Sequence, residues 1–453
     1  MKSTLSAFIM LPLIIISLSF EQALASSKNG VDDGDLWGNS VSEFIDLTIS
    51  GQSGMSITIE HSFGNIDVRP GTSNQITISG EKRVSGKDNG IAKEFLREME
   101  LKIDESPSRL IIKTYYPDDK KYEKKVKNYS ISYTIEIPSN VKLDIKNSFG
   151  NLDLDNLSGI FIITNSYGEI KALRLNGDTQ LSNKFGLITS ENITGEAQIN
   201  SQHGSINIKN VAGNLSAKTS FGPIDVFDIK GDARILNSHG KITVESIGGK
   251  AELETSFSTI TCSDIDGKTV IRNSHGQVNA SNIRSNTSVR TSFNKVKAEF
   301  IYGDLIVENE HGTITTSDIR GDIKANTSFA PVHISHIDGG VIVTNQHGDI
   351  SIDNILYEVS GQDLNNDETF RKRQVNLKTD FGTVRLKLPE TLSASINVSA
   401  TYGKISGDFP LNINLQGLDL SKTSHPKISG SVRDGKDSID IDVSHGSVYI
   451  DQM

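Results

Sequence analysis

The sequence predicts an all-β protein, a β-solenoid with 18-residue coils, and three observations carry that prediction. A ring-bearing residue recurs at Phe149, Tyr167, Phe185, His203, Phe221, His239, Phe257, His275, Phe293, His311, Phe329 and His347, every step being 18 residues without an insertion. Between rings the apolar residues fall into two short alternating runs. In GKITVESIGGKAELETSF, Ile242 and Val244 alternate with polar neighbours, Ile247 follows a break of phase, and Ala251, Leu253 and Thr255 alternate again. Period-2 runs of this length are strands. Glycine also recurs at one phase, at Gly213, Gly231, Gly249, Gly267, Gly303, Gly321 and Gly339, where a corner is expected to need positive φ. A fixed, short period marks an array in which each unit packs only on its neighbours.

From residue 219 onward the residue two places before each ring is Thr when the ring is Phe and Asn when it is His, so the repeating unit there is a 36-residue pair of coils. Coils stacked in register at about 4.8 Å place identical positions above one another. The twelve rings then form a structural ladder on the order of 50 Å long, with imidazoles between phenyl rings. The Asn and Thr column is expected to form a hydrogen-bond ladder at the same corner. Histidines two coils apart would be separated by roughly 9.6 Å, too far to share a metal that needs nitrogens within about 2.1 Å. No Asp or Glu column recurs with them, so no metal or cofactor site is read from the ladder. Imidazole protonation near pH 6 would place charges between aromatic rings, a pH-sensitive variant of the same structural role.

The N-terminus carries one Lys, an apolar run and then Ala23-Leu24-Ala25, which reads as a signal peptide over 1–25 with cleavage after Ala25. The competing reading is an uncleaved anchor. No other stretch approaches the roughly 18 apolar residues of a membrane span, so the mature chain is expected to be exported, without a transmembrane segment. Cys262 is the only cysteine, which rules out an intrachain disulfide. Export without disulfides favours a bacterial envelope, periplasmic or extracellular protein. Cys262 itself reads as a small strand residue, with a reactive thiol as the alternative. A formal charge of −10 speaks against nucleic-acid binding.

Residues 26–50 read as a linker and first strand, and 51–146 as an N-terminal β cap with one short helix near 91–98. Within that cap RLIIKTYYP and YSISYTIEIP are expected to pair. The basic run DKKYEKKVK at 119–127 reads as a solvated hairpin loop, or else as a patch for acidic glycan or lipid headgroups. The regular solenoid covers 147–356, a charged loop 357–375, and irregular C-terminal coils and a cap 376–453. The spacing of 21 from Phe381 to Tyr402 is read as a widening of those last coils.

The recurring S-[FHY]-G-x-[IV]-x-[VI], the I-x-G corner and the helix-containing N-terminal block resemble the bacterial putative-adhesin family of β-solenoid domains, over roughly residues 55–453. The resemblance implies a solenoid fold and attachment at a surface; the strict 18-residue spacing and the Phe/His alternation depart from a typical member. Neither catalytic motifs nor the Gly- and Asp-rich nonapeptide of calcium-binding rolls occurs. The expected function is therefore a non-catalytic, monomeric exported scaffold or adhesin, presenting a rigid surface to a glycan, a protein or the envelope. The alternatives are a periplasmic envelope sensor or assembly factor, and an enzyme with its site at 357–375 or in the caps.

Overall fold

A computed structural model of the protein describes residues 40–71, 74–122, 125–355, 373–410, 412–413 and 425–453. The leader with Ala25, most of the linker and most of the charged loop lie outside the described residues. Two sheets run the length of the molecule and enclose one core, and each coil contributes a strand to both. In one coil, Ile242–Ile247 lies in the first sheet and Ala251–Thr255 in the second. Each strand pairs in parallel with its equivalents 18 residues before and after, as Ile242 does with Ile224 and Ile260. Six side chains per coil point inward, here Ile242, Val244, Ile247, Ala251, Leu253 and Thr255.

The break of phase before Ile247 has a backbone cause. Val244 and Ile247 are both buried although two residues separate them, because Ser246 takes a left-handed conformation, φ 63°, and turns the chain back toward the core. Twelve rungs repeat this device from Asn156 to Asn354, with φ between 52° and 63°. Most of these residues are Asn or Asp, the side chains that best tolerate that region. The glycine column therefore has a different reason from the one the sequence suggests. Gly249 has no positive φ; a Cβ there would stand 2.7 Å from the Gly231 carbonyl carbon. Its neighbour Asp232 accepts the Lys250 N–H at 2.8 Å, and Asp304 accepts that of Asp322 at 3.0 Å. Close approach between rungs, not backbone conformation, selects glycine here.

The N-terminal block closes both sheets. Its elements are β1 (Ser40–Ser50), β2 (Ser56–Glu60), β3 (Ile66–Pro70), β4 (Gln75–Gly86), α1 (Asn89–Glu98), β5 (Glu100–Ser106), β6 (Arg109–Tyr115), α2 (Asp119–Tyr122), β7 (Val126–Ile137) and β8 (Val141–Lys146). The first complete rung is β2 and β3. On it the first sheet ends through β7, β4 and β1, the last two pairings antiparallel. The second ends through β6 and β5. The sequences RLIIKTYYP and YSISYTIEIP thus do not pair; β6 and β7 lie in opposite sheets, with Leu110 and Ile112 facing Ile131 and Ile135 across the core. Helix α1 starts where Asp88 accepts the Ile91 N–H at 2.9 Å and buries Ala92, Phe95 and Leu96. Within the basic run, α2 replaces part of the expected loop, and Lys121 reaches Glu94 and Glu98 of α1 at 3.1 and 2.5 Å.

The C-terminal coils are not wider; they are out of order. Gln374–Phe381 pairs in parallel with Asp437–His445, and Asp437–His445 pairs in turn with Ala394–Ala400. In the first sheet Val448–Gln452 likewise separates Val384–Leu388 from Ile405–Ser406. The last rung in sequence is therefore the penultimate rung in space. Lys427–Val432 then pairs antiparallel with Ala394–Ala400, and Asn412–Ile413 pairs antiparallel in turn with Lys427–Val432.

Two outcomes are expected. Removing residues 437–453 should abolish hydrogen-exchange protection across 394–400 while 224–355 stay protected; protection retained at 394–400 would contradict the threaded order. Separately, His61 is buried in the first rung with Nδ1 3.0 Å from Thr114 Oγ1, and burial pushes its pKa down to about 4. The unfolded chain takes up this proton near 6.5, so His61's contribution is complete above that pH and shrinks by about 3 kcal/mol as pH falls from 6.5 to 4. In His61→Gln, cap stability measured by denaturant titration should lose that slope.

Candidate functional site

The twelve rings of the sequence ladder stack face to face, and four more extend the column. Phe63 stacks on Phe149 with centroids 5.1 Å apart and planes 2° from parallel. The column then continues rung by rung to His347, with neighbouring centroids 4.7 to 5.1 Å apart. Beyond it come Phe381, His445 and Tyr402, at 5.0, 4.6 and 5.0 Å. The signal that identifies these four was visible as S-F-G, D-F-G, S-H-G and T-Y-G, but the period alone could not place them in the column. At its N-terminal end Phe63 meets the edges of Tyr116 and Tyr129 at 5.3 and 5.0 Å, so the column runs into the aromatic interior of the cap.

The rings present their edges to solvent. Phe221, Phe257, Phe293 and Phe329 are all about half exposed, while their faces are covered by the rungs above and below. The buried element at this corner is the Asn/Thr column beneath the rings. Its polar groups do not bond to one another as the sequence suggests. The Asn side chains, and Thr219 and Thr255, instead donate to a backbone carbonyl of the preceding rung: Asn237 Nδ2 to Gly222 O at 2.8 Å, Thr255 Oγ1 to Gly240 O at 3.3 Å, and Asn273 Nδ2 to Ser258 O at 2.8 Å, whereas the Thr291 and Thr327 hydroxyls make no such bond.

This explains the recurrent swap. An Asn side chain has a second group, and Asn237 Oδ1 accepts the Gly240 N–H at 2.9 Å and the His239 N–H at 3.2 Å. Asn273 and Asn309 repeat the bond to Gly276 and Gly312. That tight turn leaves no space for a Cβ, which at Gly276 would collide with the Ser258 carbonyl. Thr rungs lack the acceptor, and their turns accept Ser258, Asn294 and Ala330 at the corresponding position. The imidazole belongs to the Asn turn as well: His239 Nδ1 lies 3.2 Å from Ser220 O and His275 Nδ1 3.3 Å from Ser256 O. A carbonyl can only accept, so Nδ1 is the donor in both contacts.

Other candidate chemistry is placed as follows. Cys262 is buried in a strand and its thiol is pushed up to about 12 by desolvation, so thiolate chemistry is suppressed. Among the described residues no three His, Cys, Asp or Glu side chains gather as a metal site, and no helix is long and apolar enough to cross a membrane. Of the charged loop, Arg373 is described; it faces Asp338 and Asp437, each at 3.6 Å. A groove of about 490 Å³ on the second sheet near the C-terminal end is lined in part by Ile342, Lys378, Asn397, Lys427 and Asp442. A second, of about 370 Å³, lies over His61 and Lys113. The second groove is lined by the His61–Thr114 pair, in contact at 3.0 Å, with Ser62 and Lys113 beside it.

No protein-family model matches the chain, and no curated protein sequence matches it. Among solved structures, a putative cell adhesion protein from Clostridium sporogenes is similar at 10% sequence identity and a TM-score of 0.16, over 91% of this chain and 100% of that one.

Deleting a ring and deleting its buried neighbour should differ. Phe257→Ala is expected to cost roughly 1–3 kcal/mol, less than a fully buried Phe, and to loosen only the rungs from 239 to 275. Asn273→Ala leaves the Ser258 carbonyl and the Gly276 N–H without their partners and should cost about 1–3 kcal/mol. Thr255→Val, which loses one long bond, should cost less than Asn273→Ala. Chemical denaturation with rung-resolved hydrogen exchange checks the order.

Proposed function

We propose that the protein is a non-catalytic, exported bacterial scaffold whose rigid rod presents its outward columns to a glycan, a protein or the cell envelope. The observation that supports this reading is the unbroken stack: from residue 147 to 355 the rungs carry no insertion, so no loop rises from either sheet to wall in a substrate. Outward positions such as Thr243, Glu245, Glu252 and Glu254 lie on open sheet faces. A surface of this kind recognises by repeated side-chain position, not by enclosure. Attachment is then a property of the folded surface, and turnover of the bound molecule has no place in it.

The experiment has two arms. Intact cells treated with protease should lose the protein from outside if it is a surface scaffold. Small-angle scattering of the purified protein should give a radius of gyration well above the roughly 22 Å of a compact chain of this size. A compact particle, or turnover of any polysaccharide incubated with it, would overturn the reading.

A further inference from the structure

Most rungs place Asn or Asp at the left-handed corner; Arg174, Ser246, Phe300 and His336 depart from this, and Phe300 is the one apolar side chain among them. The left-handed corner position holds Asn282 on one rung and Asp318 two rungs later, but Phe300 between them, at φ 55°. That backbone region disfavours a bulky side chain, and such departures gather where a ligand is held. Two residues on, where the flanking rungs carry Arg284 and Arg320, this rung carries Tyr302. The backbone fixes their order: Tyr302 N–H donates to Ile283 O and Arg320 N–H to Ile301 O, both at 2.9 Å. Phe300 is 50% and Tyr302 41% exposed.

The polar groups around this pair are balanced. Arg320's guanidinium lies 4.7 Å from the Tyr302 ring centroid, and Arg284 pairs with Asp266 at 2.7 Å. Asp318 lies 3.9 Å from His336 Nδ1, and Asn282 donates to Asp264. Two exposed aromatic rings are thus bordered by guanidinium donors on one side and by carboxylate and amide acceptors on the other, with little net charge. A polyanion would meet Asp266 and Asp318, and a purely apolar partner would leave both arginines desolvated without compensation. An uncharged pyranose suits the arrangement, because its C–H face packs on an aromatic ring while its rim hydroxyls both donate and accept.

We propose that Phe300 and Tyr302, with Arg284, Arg320, Asn282 and Asp318 around them, form a binding site for a sugar ring of a neutral polysaccharide. The inference rests on the scaffold reading and gives it a ligand class and a place on the rod. The strained residue is the centre of the site, so its replacement separates binding from folding. Phe300→Asn installs the residue used more often than any other at this corner.

The test is affinity electrophoresis of the purified protein through gels containing a soluble β-glucan, a galactomannan or an arabinoxylan, with polygalacturonate as the anionic comparison. At least one neutral polysaccharide should retard the protein. Phe300→Asn and Tyr302→Thr should each weaken that retardation by about tenfold, the scale of losing a central aromatic contact. The unfolding midpoint of Phe300→Asn should stay or rise. Phe227→Asn, at another exposed ring on the first sheet, should bind as the parent does. Retardation by polygalacturonate alone, or by none of the four, would overturn the inference. Undiminished retardation of Phe300→Asn would overturn this site while leaving the scaffold reading to its own test of shape and location.

Discussion

Every residue in the regular stack has its own equivalent directly above and below it, one parallel β-ladder step away, and the rest of the structure follows from that constraint. A side chain that cannot tolerate its equivalent at that distance cannot be used at that phase. Isoleucines can, and their columns make the core. Flat rings can, because the separation of stacked strands is close to that of offset-stacked rings. Carboxylates repeated without relief cannot: the position after the corner glycine mixes Asp, Asn, Glu and Lys, and its Asp and Asn side chains accept the backbone N–H of the following rung, as Asp232 does from Lys250. Where backbones approach most closely, as at Gly249, the side chain is omitted.

Surface electrostatics is secondary to this. Arg234 and Arg272 flank Glu252 across three rungs, at 3.6 and 2.7 Å, but exposed pairs of this kind contribute little. Register is set underneath, by the buried Asn side chains and by Thr219 and Thr255, which tie their turns to the carbonyl of the rung before. From Thr219 to Asn345 two unlike turns alternate, one built on an Asn, which at Asn237, Asn273 and Asn309 bonds in two directions, and one on a Thr, which bonds in one direction at most. The visible alternation of His and Phe is the outer sign of that buried difference.

Much of this was legible in the sequence because a period converts weak local signals into columns. Ile242 alone suggests little, whereas Ile224, Ile242 and Ile260 at one phase define an inward row. The same logic located the ring column and the Asn/Thr column beneath it. It failed where equivalence is broken. A pattern says that 445 belongs to a rung but not that this rung lies between those of 381 and 402, since pairing order is a three-dimensional choice among similar edges. It also assigned β6 and β7 to one another, because alternation identifies a strand without saying which sheet it joins. The corner glycines were correctly picked out and wrongly explained, since conformational freedom and lack of space leave the same letter. Phe300 and Tyr302 were hidden for the opposite reason: they belong to no column, the equivalent positions above and below them being Asn282 and Asp318, and Arg284 and Arg320.

The threaded C-terminal rung also bears on how such a molecule can change in length. Because residues 437–452 return to lie between two earlier rungs, new coils cannot simply be appended to that end without displacing the closure. The N-terminal end is similarly sealed, by antiparallel strands that offer no parallel continuation. Between residues 219 and 345, an inserted pair of rungs meets the same Asn-turn and Thr-turn neighbours on both sides that it would have met before insertion, whereas a single rung would bring like turns together there. The rod is therefore built to grow from within, in steps of two coils, and its reach can be altered without redesigning either end.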